Sequence, residues 1–232
     1  MIDKFTTEVR ARHEALAVVL QVREQELQVL LWQRAREPFA AAWALPGGLL
    51  GPRETLEHSI RLHLAAKVDV REVAHLEQIG TLSDPGRDPR GRTIATAYLG
   101  LVPAHLDPGV PEDTAWHPVN LLPATAFDHG AIALAGRERL RAKLSYTNIG
   151  FALAPPSFTV SELRDIYRAA LGHDVSATNL QRVLVRRRLL ERTGETRAPG
   201  RAGGRPAAVF RFAASDLRVT DQFAVLRPPG DR

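Results

Sequence analysis

The sequence predicts an α/β sandwich over residues 1–150, followed by a small helical domain ending in a β-hairpin over residues 151–232. Three observations carry this division. Apolar runs of strand length alternate with two helical patterns up to residue 150, the mixture expected of a layered α/β fold. Consecutive prolines in FALAPPS, Phe151–Ser157, then break the pattern. Charge divides at the same place. Residues 1–154 hold 17 Lys+Arg against 18 Asp+Glu, a net of −1, whereas residues 155–232 hold 14 against 8, a net of +6. A charge asymmetry between two parts of a chain points to an anionic partner for one of them.

In chain order, Ala15–Val22 and Leu27–Trp32 are apolar enough for buried strands, and the charged stretch Arg23–Glu26 suggests a hairpin between them. A loop containing Pro38 occupies Arg34–Trp43, followed by LPGGLLGP at Leu45–Pro52. From Glu54 to Lys67 the pattern is helical, with Leu56, Ile60 and Leu64 at i, i+4, i+8. Val70–Thr81 and Thr93–Val102 read as strands flanking the turn-rich DPGRDPRGR at Asp84–Arg92. A looser stretch, Pro103–Pro123, leads to a helix at His129–Tyr146.

Beyond the prolines, Thr159-Val-Ser-Glu162 is a capping box, with Phe158 and Leu163 at hydrophobic-staple positions. Leu163, Ile166, Tyr167, Ala170 and Leu171 make one apolar stripe, and Gly172 stops the helix. Ser176 caps a second helix, which turns Leu180, Val183 and Leu184 inward. Two short strands, Leu190–Thr193 and Ala207–Phe212, enclose the basic loop ETRAPGRAGGRP. Helix, turn, helix and hairpin in this order predict a winged helix-turn-helix.

The outward face of the second helix carries Thr178, Asn179, Arg182 and Arg186, donors suited to base edges and phosphates. Arg187 and Arg188 are less well aimed, and one of them is expected to pack by its stem. The wing arginines Arg197, Arg201 and Arg205 suit phosphate or minor-groove contact. With no aromatic platform among the basic residues, double-stranded DNA is favoured over RNA. A protein-docking module is the competing use of such a fold.

Other chemistries are excluded. The absence of cysteine removes a disulfide scaffold, a cysteine nucleophile and cysteine-ligated zinc. The eight histidines form no i, i+4 pair, and there is no serine elbow, P-loop or G-x-G-x-x-G. No signal peptide and no apolar run of about 18 residues is present, so a cytoplasmic protein without membrane contact is expected.

The segment from Gly48 invites comparison with the Nudix box, G-x5-E-x7-R-E-U-x-E-E-x-G-U. Gly48, Glu54, Leu64 and Val70 fit its spacing. Leu62 stands for the arginine, His63, Ala66 and Lys67 for the three glutamates, and Asp69 for the later glycine. Magnesium wants oxygen ligands, which this helix face lacks apart from the more distant Glu54 and Glu57. No catalytic residue, metal or cofactor is therefore expected. Lys67, with His63, either replaces the metal's charge and binds phosphate directly or is an exposed position under no constraint.

Taken together, WALPGG (Trp43–Gly48), RDPRGR (Arg87–Arg92) before TIATAYLGLV, FDH (Phe127–His129), RLRAKLSY (Arg139–Tyr146), FALAPPSFTVSEL (Phe151–Leu163), Asn179 and GGRPAAVFRF (Gly203–Phe212) resemble one family. The chain is similar to the NrtR-like, Nudix-related transcriptional regulators associated with NAD metabolism. The resemblance implies a dimeric repressor on a palindromic DNA operator, released by ADP-ribose or a related nucleotide held in an inactive Nudix domain. It also implies, by position, that Arg36, Trp43, Arg87 and Arg90 serve the effector. Trp43 reads equally as a core residue, whereas Arg87 and Arg90 are expected on an exposed loop. Related regulators answer to sugars, so a sugar effector remains open. The alternatives are a nucleoside-diphosphate hydrolase whose metal site is rebuilt from Glu54 and Glu57, and an interaction module retaining both folds.

Overall fold

The computed structural model describes residues 10–198 and 206–221. A seven-stranded mixed sheet organises the first part. β1 (Arg12–Arg23) turns at once into β2 (Glu26–Gln33); β3 (Trp43–Ala44) and β4 (Gly47–Leu49) are short; α1 spans Leu56–Val68. β5 (His75–Leu82), β6 (Thr93–Leu101) and β7 (Thr114–Pro118) precede α2 (His129–Tyr146). The sheet order is β3-β2-β1-β6-β5, with β4 added to β1 and β7 to β2. β1 is central: it runs parallel to β6 and antiparallel to β2 and β4.

A central strand buried on both faces reads as a near-continuous apolar run, and β1 does so from Ala15 to Leu20. Leu16, Val18, Leu20 and Val22 point into one core with Ile132, Ala133, Leu140 and Leu144 of α2. Ala15, Ala17 and Val19 point into the other with Ile60, Leu64 and Val68 of α1. The period of two in the strand thus divides its side chains between two helices, giving an α/β/α sandwich. A Cβ on Gly136 would lie 2.6 Å from the Val18 side chain, so glycine there lets α2 settle on β1. Gly47 is required for a similar reason: a Cβ would lie 2.2 Å from the Ala15 carbonyl, across the β1–β4 pairing.

A 3-10 turn at Ile149–Ala152 joins this part to the next. There, β8 (Phe158–Thr159), α3 (Val160–Leu171), α4 (Ala177–Arg186), β9 (Leu190–Arg197) and β10 (Ala207–Phe212) form a helical pair on a three-stranded sheet of order β8-β10-β9. The predicted capping box is present: the Thr159 hydroxyl accepts from the Glu162 N–H, and Glu162 accepts from the Thr159 N–H at 2.7 Å. Gly172 closes α3 at φ 76, and Ser176 caps α4.

Around the proline-marked boundary, Ile149, Ala152, Leu153 and Ala154 are buried in a core continuous with Phe158, Leu163 and Leu184. The structure alters three readings. The strand expected from Val70 begins only at His75, because Asp69 turns left-handed at φ 51 and Val70 is buried in the core beneath α1. β3, β4 and β7 fall in stretches read as loops, where glycine and proline hide pieces too short for visible alternation. β9 continues to Arg197, past its last apolar residue, because pairing with β10 carries it. Among the described residues, no helix is long and apolar enough to cross a membrane.

Candidate functional site

The sandwich collects charge where β1, the end of β2, β4, the last turn of α1 and the 84–92 loop converge. Arg87 and Asp88, expected on an exposed loop, are buried instead. The Arg87 guanidinium donates twice to the Asp128 carboxylate, at 2.8 and 3.0 Å, and stands 3.7 Å from Glu14. Arg90 donates to Asp88 at 2.8 Å and stands 3.6 Å from Glu14. Burial would raise the Asp88 carboxyl, but hydrogen bonds from Arg90 and Thr93 outweigh it and hold the group at about 2. The loop is therefore tied to the fold through Arg87, because a buried guanidinium demands carboxylates and finds two, Asp128 and Glu14.

Among the described residues, two cations of the same region have no such partner. Arg34 donates to the carbonyls of Pro38 (3.0 Å) and Arg36 (3.4 Å) and stands 4.8 Å over the Phe127 ring. Arg90 approaches that ring at 5.3 Å, and Phe39 meets it edge-on at 4.9 Å. Lys67 is exposed by area, yet its ammonium donates to the Gly47 carbonyl at 2.6 Å and lies 4.9 Å over the Trp32 ring. Desolvation there lowers its pKa, with Glu14 opposing and Arg34 adding to the effect. Desolvation and repulsion from Arg90 likewise lower Arg34.

Of the other predicted effector residues, Trp43 is half-buried, edge-on to His117 at 4.3 Å, and its backbone bonds to Ala126; it is part of the packing. Arg36 is exposed, and among the described residues only its carbonyl is engaged, by Arg34. Arg34, Glu14 and Phe127 escaped the sequence reading. The one available signal was Glu14, the lone carboxylate of a strand that is apolar from Ala15 to Leu20. Next to the cluster, buried His129 accepts the Leu45 N–H on Nδ1 at 3.0 Å, and burial pulls its pKa to about 4, so it is neutral.

The box positions on and just before α1 do not suit a divalent cation. Glu54 accepts from the Gly51 N–H at 3.1 Å, Glu57 pairs with Arg61 at 3.0 Å, and the His63 ring is hydrogen-bonded to the Leu49 carbonyl at 3.1 Å. Among the described residues, no group of three His, Asp or Glu side chains is placed to hold a metal.

On α4 the predicted face is formed. Thr178, Asn179, Arg182 and Arg186 are exposed, while Leu180 and Leu184 are buried against α3. The Ser176 hydroxyl accepts from the Asn179 N–H, and Arg182 donates to the Asn179 carboxamide at 2.8 Å, so the two present one joined polar surface. Arg187 points inward, donating to the Ser145 carbonyl (2.9 Å) and Asp221 (2.7 Å). Arg197, at the base of the wing, is held by Glu162 at 2.5 Å. Arg201 and Arg205 lie outside the described residues.

Comparison with known proteins follows this division. Residues 11–135 match the NUDIX domain family, and residues 150–212 match the NrtR DNA-binding winged helix domain. The chain is 32% identical over 207 residues to the ADPR responsive transcriptional repressor of Acinetobacter baylyi, covering 85% of this chain and 80% of that one. It is also 32% identical over 123 residues to the ADP-ribose pyrophosphatase of Methanocaldococcus jannaschii, covering 52% of this chain and 71% of that one. The NrtR of Shewanella oneidensis, crystallised with a 27-mer DNA, superposes with a TM-score of 0.75 at 32% identity, over 86% of this chain and 92% of that one.

Proposed function

The chain belongs to the NrtR family of regulators, and from that premise we propose that it is an ADP-ribose-responsive transcriptional repressor. The observation that carries the reading is the exposed face of Thr178, Asn179, Arg182 and Arg186 on a helix whose opposite side is buried. That helix enters the major groove, where Asn179 and Arg182 read base edges and Arg186 meets phosphate. The chain works as a homodimer, because two such helices match a palindrome. It acts on DNA in the cytoplasm.

The sandwich senses rather than hydrolyses. Activating water for attack on a diphosphate needs an arranged metal or base, and the helix face offers Ala66 and Lys67 where carboxylates would stand. Both curated relatives named above are described by ADP-ribose, one as its sensor and one as its hydrolase, which supports that nucleotide as the effector. α2 carries the signal. Its first residue follows Asp128, the partner of Arg87, and its last turn presents the Ser145 carbonyl to Arg187 at the end of α4. A ligand that prefers one arrangement of that helix biases both ends.

A mobility-shift titration of the full chain on its own upstream DNA tests this reading. Retardation that ADP-ribose reverses supports it; retardation indifferent to ADP-ribose removes the sensing half, and no retardation removes the reading. The resemblance to a pyrophosphatase keeps hydrolysis as a second reading. Magnesium-dependent turnover of ADP-ribose, lost in Glu57→Gln, would establish it.

A further inference from the structure

We propose that this chain binds the diphosphate of its effector without a metal ion, on a clamp formed by the ammonium of Lys67 and the guanidinium of Arg34. The inference rests on the effector reading above and specifies its chemistry. In a metal-dependent box, carboxylates hold the cation and the cation holds the phosphates. Here the donor set does not fit such an ion. Glu54 is committed to the Gly51 N–H, Glu57 to Arg61 and the His63 ring to the Leu49 carbonyl. Lys67, at a glutamate position, brings positive charge to the place the metal would fill.

The charges around the clamp decide which groups are free to take an anion. Four cations converge: Arg34, Lys67, Arg87 and Arg90. Three carboxylates, Glu14, Asp88 and Asp128, answer them, and all contact Arg87 or Arg90 within 3.7 Å. Arg12 adds a further contact to Asp88 at 3.3 Å. Among the described residues, Arg34 and Lys67 are left with backbone carbonyls as hydrogen-bond acceptors, and Glu37 acts on Arg34 without forming an ion pair. They also repel each other, so an anion between them relieves a cost the empty arrangement carries. Lys67 lies over the Trp32 ring, and Arg34 over Phe127, which fixes both stems and leaves donors to spare. Phosphate oxygens are strong acceptors for such charged donors.

The test is calorimetric titration of the full chain with ADP-ribose and, in parallel, with inorganic pyrophosphate, each in EDTA and in magnesium. The clamp predicts that affinity in EDTA equals or exceeds that in magnesium, since free magnesium competes for the diphosphate. Lys67→Met, which keeps the stem over Trp32, should weaken both ligands about tenfold or more, while Lys67→Arg retains most of the affinity. Arg34→Gln gives an independent loss if Lys67→Met unfolds. Binding that requires magnesium, or that survives both neutral substitutions, overturns the proposal. Pyrophosphate binding in EDTA with no response to ADP-ribose sustains the clamp and refutes the effector identity. Failure of both ligands refutes both.

Discussion

Two sets of arginines, those of the loop 87–92 and the pair Arg182 and Arg186 on the exposed face of α4, finish in opposite states. In the loop, Arg87 and Arg90 are closed against Asp128, Glu14 and Asp88. On α4, Arg182 meets only the Asn179 carboxamide, and Arg186 has no partner among the described residues. The same side chain is a structural tie where carboxylates reach it and stays uncommitted where they do not. What separates the two states lies elsewhere in the chain, since Glu14 comes from the first strand and Asp128 from the start of α2. Local arginine density therefore says nothing of which state results.

The largest expected effect breaks the loop side of this contrast. Arg87→Ala strands Asp128 and Glu14 beside buried surface, and removing one partner of a buried pair costs about 3–5 kcal/mol. Urea unfolding measures it. A loss below about 0.5 kcal/mol, the range of ordinary surface substitutions, would return Arg87 to the exposed class.

A second effect, nearly as large, is read with pH at the neighbouring His129. Its native pKa is about 4 against an ordinary 6.5, chiefly through burial. Between those values the unfolded chain takes up a proton that the native chain refuses. Stability is therefore complete above pH 6.5 and falls as pH drops toward 4, by about 3 kcal/mol across the window. His129→Asn should flatten that limb at the cost of a lower plateau. A wild-type curve already flat between pH 6.5 and 4 would contradict the neutral, hydrogen-bonded imidazole.

Legibility in the sequence follows the same division. The caps at Thr159 and Ser176, the glycine stop at Gly172 and the apolar stripe of α3 are written within a few residues, and each forms as predicted. The face of α4 is equally local, because a helix converts spacing into orientation. The clamp cations were only half visible. Lys67 stood out against a known spacing, whereas Arg34 sits in a loop with no periodicity, and Phe127 beneath it is about ninety positions away in sequence. Arg87 was misread as exposed because its partners are distant. Arg197, exposed at the base of the wing, likewise meets a carboxylate from another element, Glu162 at the start of α3.

The smallest predicted effects sharpen the α4 side by separating two arginines that look alike. Arg182 lies one turn into the helix and is joined to Asn179, so it is positioned for bases; Arg182→Ala should cost about 1–3 kcal/mol on the operator and relax sequence preference. Arg186 lies a turn further along, next to the helix end at Arg187, and so on the proposed docking sits farther from the bases. Arg186→Ala should therefore weaken operator and unrelated DNA by the same factor and reduce the salt dependence by about one phosphate contact, a slope change near 0.9. Both substitutions should leave folding stability within about 0.5 kcal/mol, since neither side chain has a carboxylate to abandon. Binding isotherms on two sequences at several salt concentrations distinguish the roles. Equal loss of preference in the two variants would mean that the helix lies flatter in the groove than its capped, exposed first turn implies.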